Sequence, residues 1–467
     1  MTRPPNLLLI VMDAVRADHL SCYGYHRPTT PFLERLAEEG VLCEQAFTTA
    51  PWTPPAHASL FTGTYPSRHG VDVGENLHLP EDTVTLAQLL AARGYRTFGV
   101  LPDGHLSAFR GFHRGFQETV ELFRVPRLAW QWPFVKNAVR TALLGRDKRS
   151  YLANCLIKRW LARHAQSGPF FVFVNYKTAH NRYQPPRPFR RRFAMPLRPG
   201  QDLRKLEAFS RGGGYAYMAG RLPMTPEDLE VVRSWYDGAI ACIDARIADL
   251  VGHLRRLRVA DRTLVVVTAD HGENFGEHGL AYHVFCLYDT LIRVPLIFHF
   301  PAGVRGPRRV TGLVSLTDVL PTVLETLGIE HPAPREVQGT SLLPFDGRSY
   351  HAHVFAEVDR PTWMLKSLAR RFPGHDFSRF DRGLRCVRTL EEKLIVGSDG
   401  SEELYHLPSD PGETVNLRFV APERAAALRA VLAAWLAGMT PRAVPAGPPP
   451  DADDEAIQKN LRELGYL

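Results

Sequence analysis

Reactive side chains follow directly after three apolar runs of the sequence. Carboxylates and imidazoles are donors that proteins use to hold Mg²⁺, Ca²⁺, Mn²⁺ or Zn²⁺. If the three runs are neighbouring strands, these side chains would gather into a site for one divalent cation. Each also has a plainer interpretation, because aspartate caps helices and an Asp-His pair before glycine forms turns. The runs and the residues after them are Leu7–Met12 with Asp13, Phe170–Asn175 with Lys177 and His180, and Leu264–Thr268 with Asp270 and His271.

A hydroxyl group in the segment "PWTPPAHASLFTG" (Pro51–Gly63) is the candidate nucleophile. Thr53 is a suitable N-cap, the two prolines after it fit a first helical turn, and Gly63 fits a C-cap. A helix N-terminus favours anions, because its backbone N–H groups are free and its dipole is positive there. A threonine held between such a helix and a metal ion would have a lowered hydroxyl pKa and could attack phosphorus or sulfur. A plain N-cap is the commoner role for a threonine in this position.

The elements that would position these residues alternate between buried strands and amphipathic helices. The three apolar runs and a fourth, Val294–Phe298, have the composition of strands covered on both faces. Helical patterns lie in Thr83–Arg93, in Thr225–Arg258 and in the segment that opens at Thr317. This alternation predicts an α/β fold with a large, mostly parallel central sheet flanked by helices. Ligands of such folds bind beyond the carboxyl ends of the strands, where the reactive residues lie.

The composition of the chain changes after about residue 347. Residues 1–347 are predicted to form the larger domain, with basic and aromatic insertions at about 125–165 and 181–223. Residues 348–440 combine short strand patterns with one helical run and predict a small C-terminal α+β subdomain. Residues 441–467 predict a linker rich in proline, alanine and acids, followed by a short docking helix. The first insertion could cover the site or lie on an anionic membrane.

The overall composition is that of a soluble globular protein, with 45% hydrophobic and 23% charged residues and a formal net charge of +8. The excess of positive charge is concentrated in residues 181–221, which could steer an anionic substrate. No nucleic-acid-binding motif accompanies it. Leu7–Met12 is too short for a signal-peptide core or a membrane span, and the six scattered cysteines indicate reduced thiols. These features predict a cytoplasmic protein.

Three segments of the chain resemble the sulfatase family of the alkaline phosphatase superfamily. "NLLLIVMDAVRADHLSCYGY" is similar to the family's first metal-binding segment, "TPPAHASLFTGTYPSRHGV" to its signature and "TADHGENFGEHG" to its second metal-binding segment. Later landmarks, among them "EELYHLPSDPGETVNL", follow in the family's order, so the resemblance spans almost the whole chain. It implies an alkaline-phosphatase-like sandwich with a small C-terminal α+β subdomain.

The resemblance also implies a role for each candidate residue. Thr53 falls on the position of the nucleophile and His180 on that of a substrate-binding, leaving-group histidine. His283 lies close to where many members carry a lysine or histidine that faces the transferred group. The implied metal ligands are Asp13, Thr53, Asp270 and His271, and the implied contacts to substrate are His57, Asn76, Lys177 and His105.

The chain departs from this family at the residue that defines the reaction. Type I sulfatases convert a signature Cys or Ser to formylglycine, and the branched side chain of Thr53 cannot yield that aldehyde. Ala56 and His57 replace the signature Ser and Arg, and "LPDGHLS" replaces "GKWHLG". Threonine is the nucleophile in branches of the superfamily that act on phosphorus. The departures therefore predict a metal-dependent hydrolase of phosphodiesters, phosphomonoesters or phosphonate esters that forms a phospho-threonine and uses no formylglycine.

Three other functions remain open from the sequence. They are a sulfatase that uses threonine directly, a phosphotransferase with an acceptor alcohol, and a non-catalytic sulfatase-like binding protein. The donor set suits one Ca²⁺, Mg²⁺ or Mn²⁺ ion, and Zn²⁺ is also compatible with it. The expected partner is a small anionic ester, peripheral membrane contact is a further option, and the sequence predicts no oligomeric state.

Overall fold

A computed structural model of the chain describes residues 4–73, 76–125, 132–145, 147–300, 309–347, 349–439 and 455–464. The strands are β1 (Asn6–Met12), β2 (Val41–Phe47), β3 (Arg96–Leu101), β4 (Glu118–Glu121), β5 (Phe170–Tyr176), β6 (Thr263–Thr268), β7 (Asn274–Phe275), β8 (Ala281–Tyr282), β9 (Leu296–His299), β10 (Arg309–Ser315), β11 (Val354–Val358), β12 (Leu384–Arg388), β13 (Glu392–Gly397) and β14 (Glu402–His406). The helices are α1 (Pro31–Glu39), α2 (Thr53–Thr62), α3 (Pro66–His69), α4 (Leu86–Ala92), α5 (Trp132–Leu144), α6 (Ser150–His164), α7 (Arg187–Phe193), α8 (Leu203–Ala208), α9 (Gly214–Met218), α10 (Pro226–Arg256), α11 (Asp289–Ile292), α12 (Val319–Thr326), α13 (Thr362–Arg371), α14 (Pro422–Ala437) and α15 (Glu455–Leu464).

Eight strands form the central sheet in the order β10-β2-β9-β6-β1-β5-β3-β4. All neighbours in it are parallel except β9, which runs antiparallel to both β2 and β6. Strand β1 lies near the middle, and every residue of it is buried, as expected for an apolar strand covered by helices on both faces. The predicted α/β fold with a large, mostly parallel sheet flanked by helices is confirmed.

The register of the central strands brings the reactive residues to one edge of the sheet. Met12 pairs with Tyr176 of β5, and Val11 pairs with Thr268 of β6. Asp13, Lys177 and Asp270 come one or two positions after these pairs. The carboxyl ends of three adjacent parallel strands therefore deliver them to a common place.

Helix ends follow the capping chemistry more closely than the hydrophobic pattern. At the predicted helix Thr83–Arg93, helix α4 begins only at Leu86, because the Thr85 hydroxyl accepts the N–H of Gln88 and the Gln88 side chain accepts that of Thr85. The longest helix, α10, is capped in the same way by Thr225 and Asp228 and matches its predicted span closely. The predicted strand at Val294–Phe298 begins two residues later, at Leu296.

A second, antiparallel sheet has the order β11-β12-β13-β14 and lies beside the central one. Helix α14 packs on it through a small apolar cluster that includes Val387, Leu404 and Leu428. Residues 126–131 and 146 of the first predicted insertion, and residues 440–454 and 465–467 of the predicted linker and tail, lie outside the described residues. Helix α15 belongs to that tail and packs on residues 104–106, where the Gly104 N–H donates to Asn460 Oδ1 at 3.1 Å.

The six cysteines are thiols without disulfide partners, and all but Cys155 are buried. Within the described ranges, none of the helices combines the length and the apolar character that crossing a bilayer requires.

Candidate active site

Three side chains form a compact group at the carboxyl edge of the central sheet. One ligand atom from each of Asp13, Asp270 and His271 lies within 4.8 Å of the others, and all three residues are buried. The Ala14 and His271 N–H groups donate to Asp270 Oδ1 at 3.1 and 3.0 Å and fix that carboxylate. Among the described residues, this is the group of His, Cys, Asp and Glu side chains that could share one metal ion.

Two oxygen atoms of this group that could bind a metal ion make no hydrogen bond to the described residues. Asp13 Oδ1 and Asp270 Oδ2 are buried and have no hydrogen-bond partner among the described residues. His271 Nδ1 donates to the Gly272 carbonyl at 2.8 Å, which leaves the lone pair on Nε2. Two carboxylate oxygens without partners, together with an imidazole nitrogen whose partner is the Thr53 hydroxyl, fit a divalent cation. An uncompensated pair of buried carboxylates would otherwise be costly.

Thr53 completes this group from the start of helix α2. The predicted N-cap role is wrong in detail, since Trp52 occupies the cap position and its side chain makes no capping hydrogen bond. Thr53 is the first helical residue, is fully buried, and places its Oγ1 3.2 Å from His271 Nε2. Gly63 closes the helix in the left-handed conformation, with φ of 67°, as predicted. The hydroxyl therefore stands at the positive end of the helix, beside the donor atoms for a cation.

His57 lies one helical turn after Thr53 and is also fully buried. Its Nδ1 donates to the Thr53 carbonyl at 2.9 Å and lies 3.6 Å from Asp270 Oδ2, while burial lowers its pKa to about 4. The ring packs against the edges of Phe61 and Phe173. These contacts make His57 a neutral support for helix α2, and its predicted contact with substrate remains a prediction.

Lys177 and Asn175 surround Asp13 from strand β5 and the residues after it. Asn175 Nδ2 donates to Asp13 Oδ2 at 3.1 Å, and Lys177 Nζ lies 4.0 Å from the same oxygen. The ammonium of Lys177 is bonded to the buried carboxylate of Asp103, and burial lowers its pKa. Sequence reasoning did not single out Asn175 or Asp103, although Asn175 is the only polar residue in its apolar run.

Two more histidines lie beside the group formed by Asp13, Asp270 and His271, which we call the metal group. The ring of His283 is 4.3 Å from that of His271 and 5.0 Å from that of His180, measured between centroids. His283 Nδ1 bonds to Glu273 Oε1 at 2.8 Å, and burial raises the pKa of Glu273 to about 8. His180 Nδ1 donates to the Asn181 carbonyl at 3.1 Å. Burial lowers the pKa of both histidines, so both rings are neutral in the resting site.

Glu273 was not predicted from the sequence, although it stands two positions after His271 in "ADHGE". The remaining two predicted residues are His105 and Asn76. His105 is buried with its ring 5.0 Å from that of Trp52, in an edge-on contact. Asn76 bonds within its own loop, since its Nδ2 donates to the carbonyls of Gly70 and His78 at 2.7 and 3.1 Å. Its predicted contact with substrate is therefore unsupported by the bonds it makes here.

Comparison with known proteins gives the chain a family. Residues 5–329 match the family model described as Sulfatase, and residues 276–437 match the model of the C-terminal region of N-sulphoglucosamine sulphohydrolase. Arylsulfatase K of Bos taurus is 24% identical over 446 residues, which cover 90% of this chain and 79% of that protein. An uncharacterized sulfatase, YidJ, of Escherichia coli (strain K12) is 25% identical over 437 residues, covering 88% and 83%.

Solved structures share the fold over nearly the full length. A phosphonate monoester hydrolase of Agrobacterium radiobacter superposes with a TM-score of 0.70 at 24% identity, covering 93% of this chain and 95% of that one. A putative sulfatase from Bacteroides thetaiotaomicron superposes with a TM-score of 0.72 at 22% identity, covering 96% of both chains. Because the family match spans the central sheet, helix α2 and the metal group together, this chain is a member of the sulfatase family of the alkaline phosphatase superfamily.

Proposed function

We propose that this sulfatase-family hydrolase cleaves phosphate esters with Thr53 as its nucleophile. The observation that carries the proposal is the position of Thr53 Oγ1, at the start of helix α2 and 3.2 Å from His271 Nε2. A threonine side chain at this position cannot become formylglycine, so the reacting oxygen must be its own hydroxyl. Phosphodiesters, phosphomonoesters and phosphonate esters are the candidate substrates.

Asp13, Asp270 and His271 would hold the divalent cation, together with the oxygen of Thr53. When bound, the cation supplies positive charge that lowers the pKa of a neighbouring hydroxyl and favours an anionic substrate. The N-terminal end of helix α2 acts in the same direction. Mg²⁺, Mn²⁺ and Ca²⁺ suit the two carboxylates, and the imidazole makes Zn²⁺ compatible as well.

The proposed reaction has two steps. In the first, the Thr53 alkoxide forms a bond to phosphorus, the bond from phosphorus to the leaving oxygen breaks, and protonated His180 gives that oxygen its proton. In the second, a water molecule attacks phosphorus, the bond to Thr53 breaks, and His180 takes the water proton. His180 must gain a proton before the first step, and an anion beside its ring favours the protonated form.

A panel of substrates tests this proposal. Aryl phosphate, bis-aryl phosphate, aryl phosphonate and aryl sulfate are each assayed with Mg²⁺, Mn²⁺, Ca²⁺ and Zn²⁺, for the wild type and for Thr53→Ala. We expect a phosphorus ester to be preferred, and Thr53→Ala to lose all activity. Acid quenching during turnover, followed by peptide mass spectrometry, should find a phosphoryl group on Thr53. A clear preference for aryl sulfate would refute the phosphorus assignment.

A sulfate-ester hydrolase without formylglycine is the second candidate. It is favoured by the curated relatives named above, which are sulfatases by name. The same panel distinguishes the two, because the transferred group found on Thr53 would then be sulfuryl. A protein that binds no divalent ion by elemental analysis would instead fit the non-catalytic alternative.

A further inference from the structure

The hairpin between helices α5 and α6 extends a lysine toward the candidate active site. The last residues before α6, Lys148 and Arg149, both have left-handed backbone conformations, with φ of 48° and 68°. Residues other than glycine adopt this conformation rarely, and only where the surroundings hold them in it. The surroundings of Lys148 and Arg149 therefore hold these two residues in place.

Several contacts hold the hairpin tip against the strand-end loop that carries His180. Asp147 is buried, its Oδ2 accepts from Arg140 Nη1 at 2.8 Å, and its carbonyl accepts from Thr178 Oγ1 at 3.0 Å. Ser150 Oγ lies 2.6 Å from the same Thr178 hydroxyl. Thr178 lies between Lys177 and His180, so the hairpin is docked directly on the candidate site.

The ammonium of Lys148 lies over the backbone of the leaving-group histidine. It donates to the carbonyl of His180 and to that of Asn181, the latter at 2.6 Å. An ammonium has three N–H donors, so one remains for another acceptor. In the described part of the chain, no carboxylate lies within ion-pair distance of Lys148. Burial lowers its pKa to about 7, while the charges of Asp13 and Glu273 act to raise it.

Neither of two other basic side chains at the site is placed to supply a free positive charge. The ammonium of Lys177 is bonded to Asp103, and His57 is neutral. A phosphate ester that binds between Thr53 and His180 brings at least one negative charge with it. Among the described residues, the Lys148 ammonium, which is bonded to the His180 carbonyl, has no carboxylate within ion-pair distance.

We propose that Lys148 is a substrate-binding residue, whose third N–H donates to a phosphoryl oxygen of the ester and makes the site favour doubly charged monoesters over singly charged diesters. This inference rests on the proposed function. It adds the residue and the charge preference by which the site would select among phosphorus esters.

The test compares Lys148→Met with Lys148→Arg and with Arg159→Met, which removes an exposed charge from helix α6. Loss of one hydrogen bond to a charged group predicts that Lys148→Met raises KM for aryl phosphate, and the inhibition constant of inorganic phosphate, by about 10- to 100-fold. KM for bis-aryl phosphate should rise less, kcat should change little, and Lys148→Arg should stay within about fivefold of the wild type. Arg159→Met should match the wild type.

Calorimetric titrations keep this test separate from that of the proposed function. Inorganic phosphate and sulfate are titrated into the Mn²⁺-loaded wild type and each variant, and Mn²⁺ into the metal-free proteins. Weaker anion binding with unchanged Mn²⁺ binding in Lys148→Met would support the assignment, even if no phosphorus ester were turned over. Unchanged phosphate binding, or an equal rise of KM for monoester and diester, would overturn it and leave Lys148 a structural clamp on His180.

Discussion

At the scale of single residues, the main feature of the candidate metal site is a pair of buried carboxylate oxygens that have no hydrogen-bond partner among the described residues. Asp13 and Asp270 each keep one carboxylate oxygen without a partner, while their other oxygens are held by Asn175, Ala14 and His271. His271 Nδ1 donates to the Gly272 carbonyl, and its Nε2 is bonded to the hydroxyl of Thr53. Burying these carboxylates without a cation costs free energy. A bound cation compensates their negative charge and makes the arrangement favourable.

Metal binding should therefore stabilise the folded protein independently of any substrate. Ligand linkage predicts a gain of about 2.7 kcal/mol at a free-ion concentration one hundred times Kd. Thermal denaturation is followed while Mn²⁺ is added after removal of metal with a chelator. Asp270→Asn should lose this response, since asparagine still accepts the N–H groups of Ala14 and His271 but carries no charge.

The exposed acid Asp261 provides a control for this titration, because it precedes the amino end of strand β6, whereas the metal group follows the carboxyl ends of the strands. Asp261→Asn should show the same rise of Tm with Mn²⁺ as the wild type. An equal rise in Asp270→Asn would mean that the ion binds elsewhere.

Glu273 should act as a positioning residue for His283. Its carboxylate is the partner of His283 Nδ1 and so determines which ring nitrogen faces the site. We expect Glu273→Leu to lower kcat/KM by about 10- to 100-fold, the range found when an outer partner that orients a functional histidine is lost. Glu273→Gln keeps an oxygen acceptor and should retain most activity. Equal losses in both variants, with unchanged Tm, would argue against an orienting role.

At the scale of elements, the ends of strands and helices position the chemistry. The sequence allowed the metal group to be predicted because each ligand comes directly after an apolar strand. Glu273 and Lys148 could not be found in this way, because their positions depend on turns with no periodic pattern. The same applies to Thr53, whose role as first helical residue rather than cap follows from the extended backbone of Trp52.

The C-terminal end of helix α10 offers a stabilising substitution. Arg258 follows the helix in the left-handed conformation, with φ of 57°, and the Val259 N–H donates back to the Leu254 carbonyl at 3.1 Å. This is the arrangement in which glycine is favoured. Arg258→Gly should raise the free energy of unfolding by about 0.5 to 1 kcal/mol, measured by denaturant titration. Ala245→Gly, inside the helix, should lower it by about 1 kcal/mol, and a loss in both variants would contradict the prediction.

The start of helix α12 should make stability depend on pH. His351 Nε2 lies 2.8 Å from Asp318 Oδ2; burial lowers the pKa of His351, but its hydrogen bond and the charge of Asp318 outweigh this and raise it. A raised histidine pKa stabilises the folded state fully below the unfolded value of about 6.5, and this contribution is lost as the pH rises through the folded value.

We therefore expect the free energy of unfolding to fall by about 1 kcal/mol or less between about pH 6.5 and 8 because of this pair. His351→Gln should remove that part of the slope in denaturant titrations at several pH values. A slope unchanged by His351→Gln would assign the dependence to other groups.

At the scale of the whole molecule, a buried ion network joins the second sheet to helix α11. Lys393 of strand β13 is fully buried and pairs with Asp289 of helix α11 at 2.8 Å and with Glu413 at 2.7 Å. Arg388 of strand β12 reaches the same Asp289 at 3.1 Å. The composition of residues 348–440 predicted a smaller subdomain, but nothing in the sequence indicated which charges join it to the rest of the chain.

Removing the centre of this network should destabilise the whole protein. Lys393→Met leaves two buried carboxylates with less positive charge, which costs about 3 to 5 kcal/mol when one partner of a buried pair is lost. Arg424→Met removes a partly exposed arginine that pairs with Glu392, and should cost less than about 1 kcal/mol. Denaturant titration measures both, and similar small losses would show that the network contributes little.

The pairing of strand β1 with β5 and β6 has a consequence for how the protein is made. Asp13 emerges from the ribosome early. The N–H of the next residue, Ala14, bonds to Asp270, which lies 256 positions after Ala14. At about 5 to 20 residues per second, translation of that interval takes on the order of 10 to 50 s. During this time strand β1 lacks its partner β6, although β5 is made earlier, and long-range pairing of this kind is slow and prone to aggregation. Production of this enzyme should therefore depend on chaperone capacity more than on its final stability.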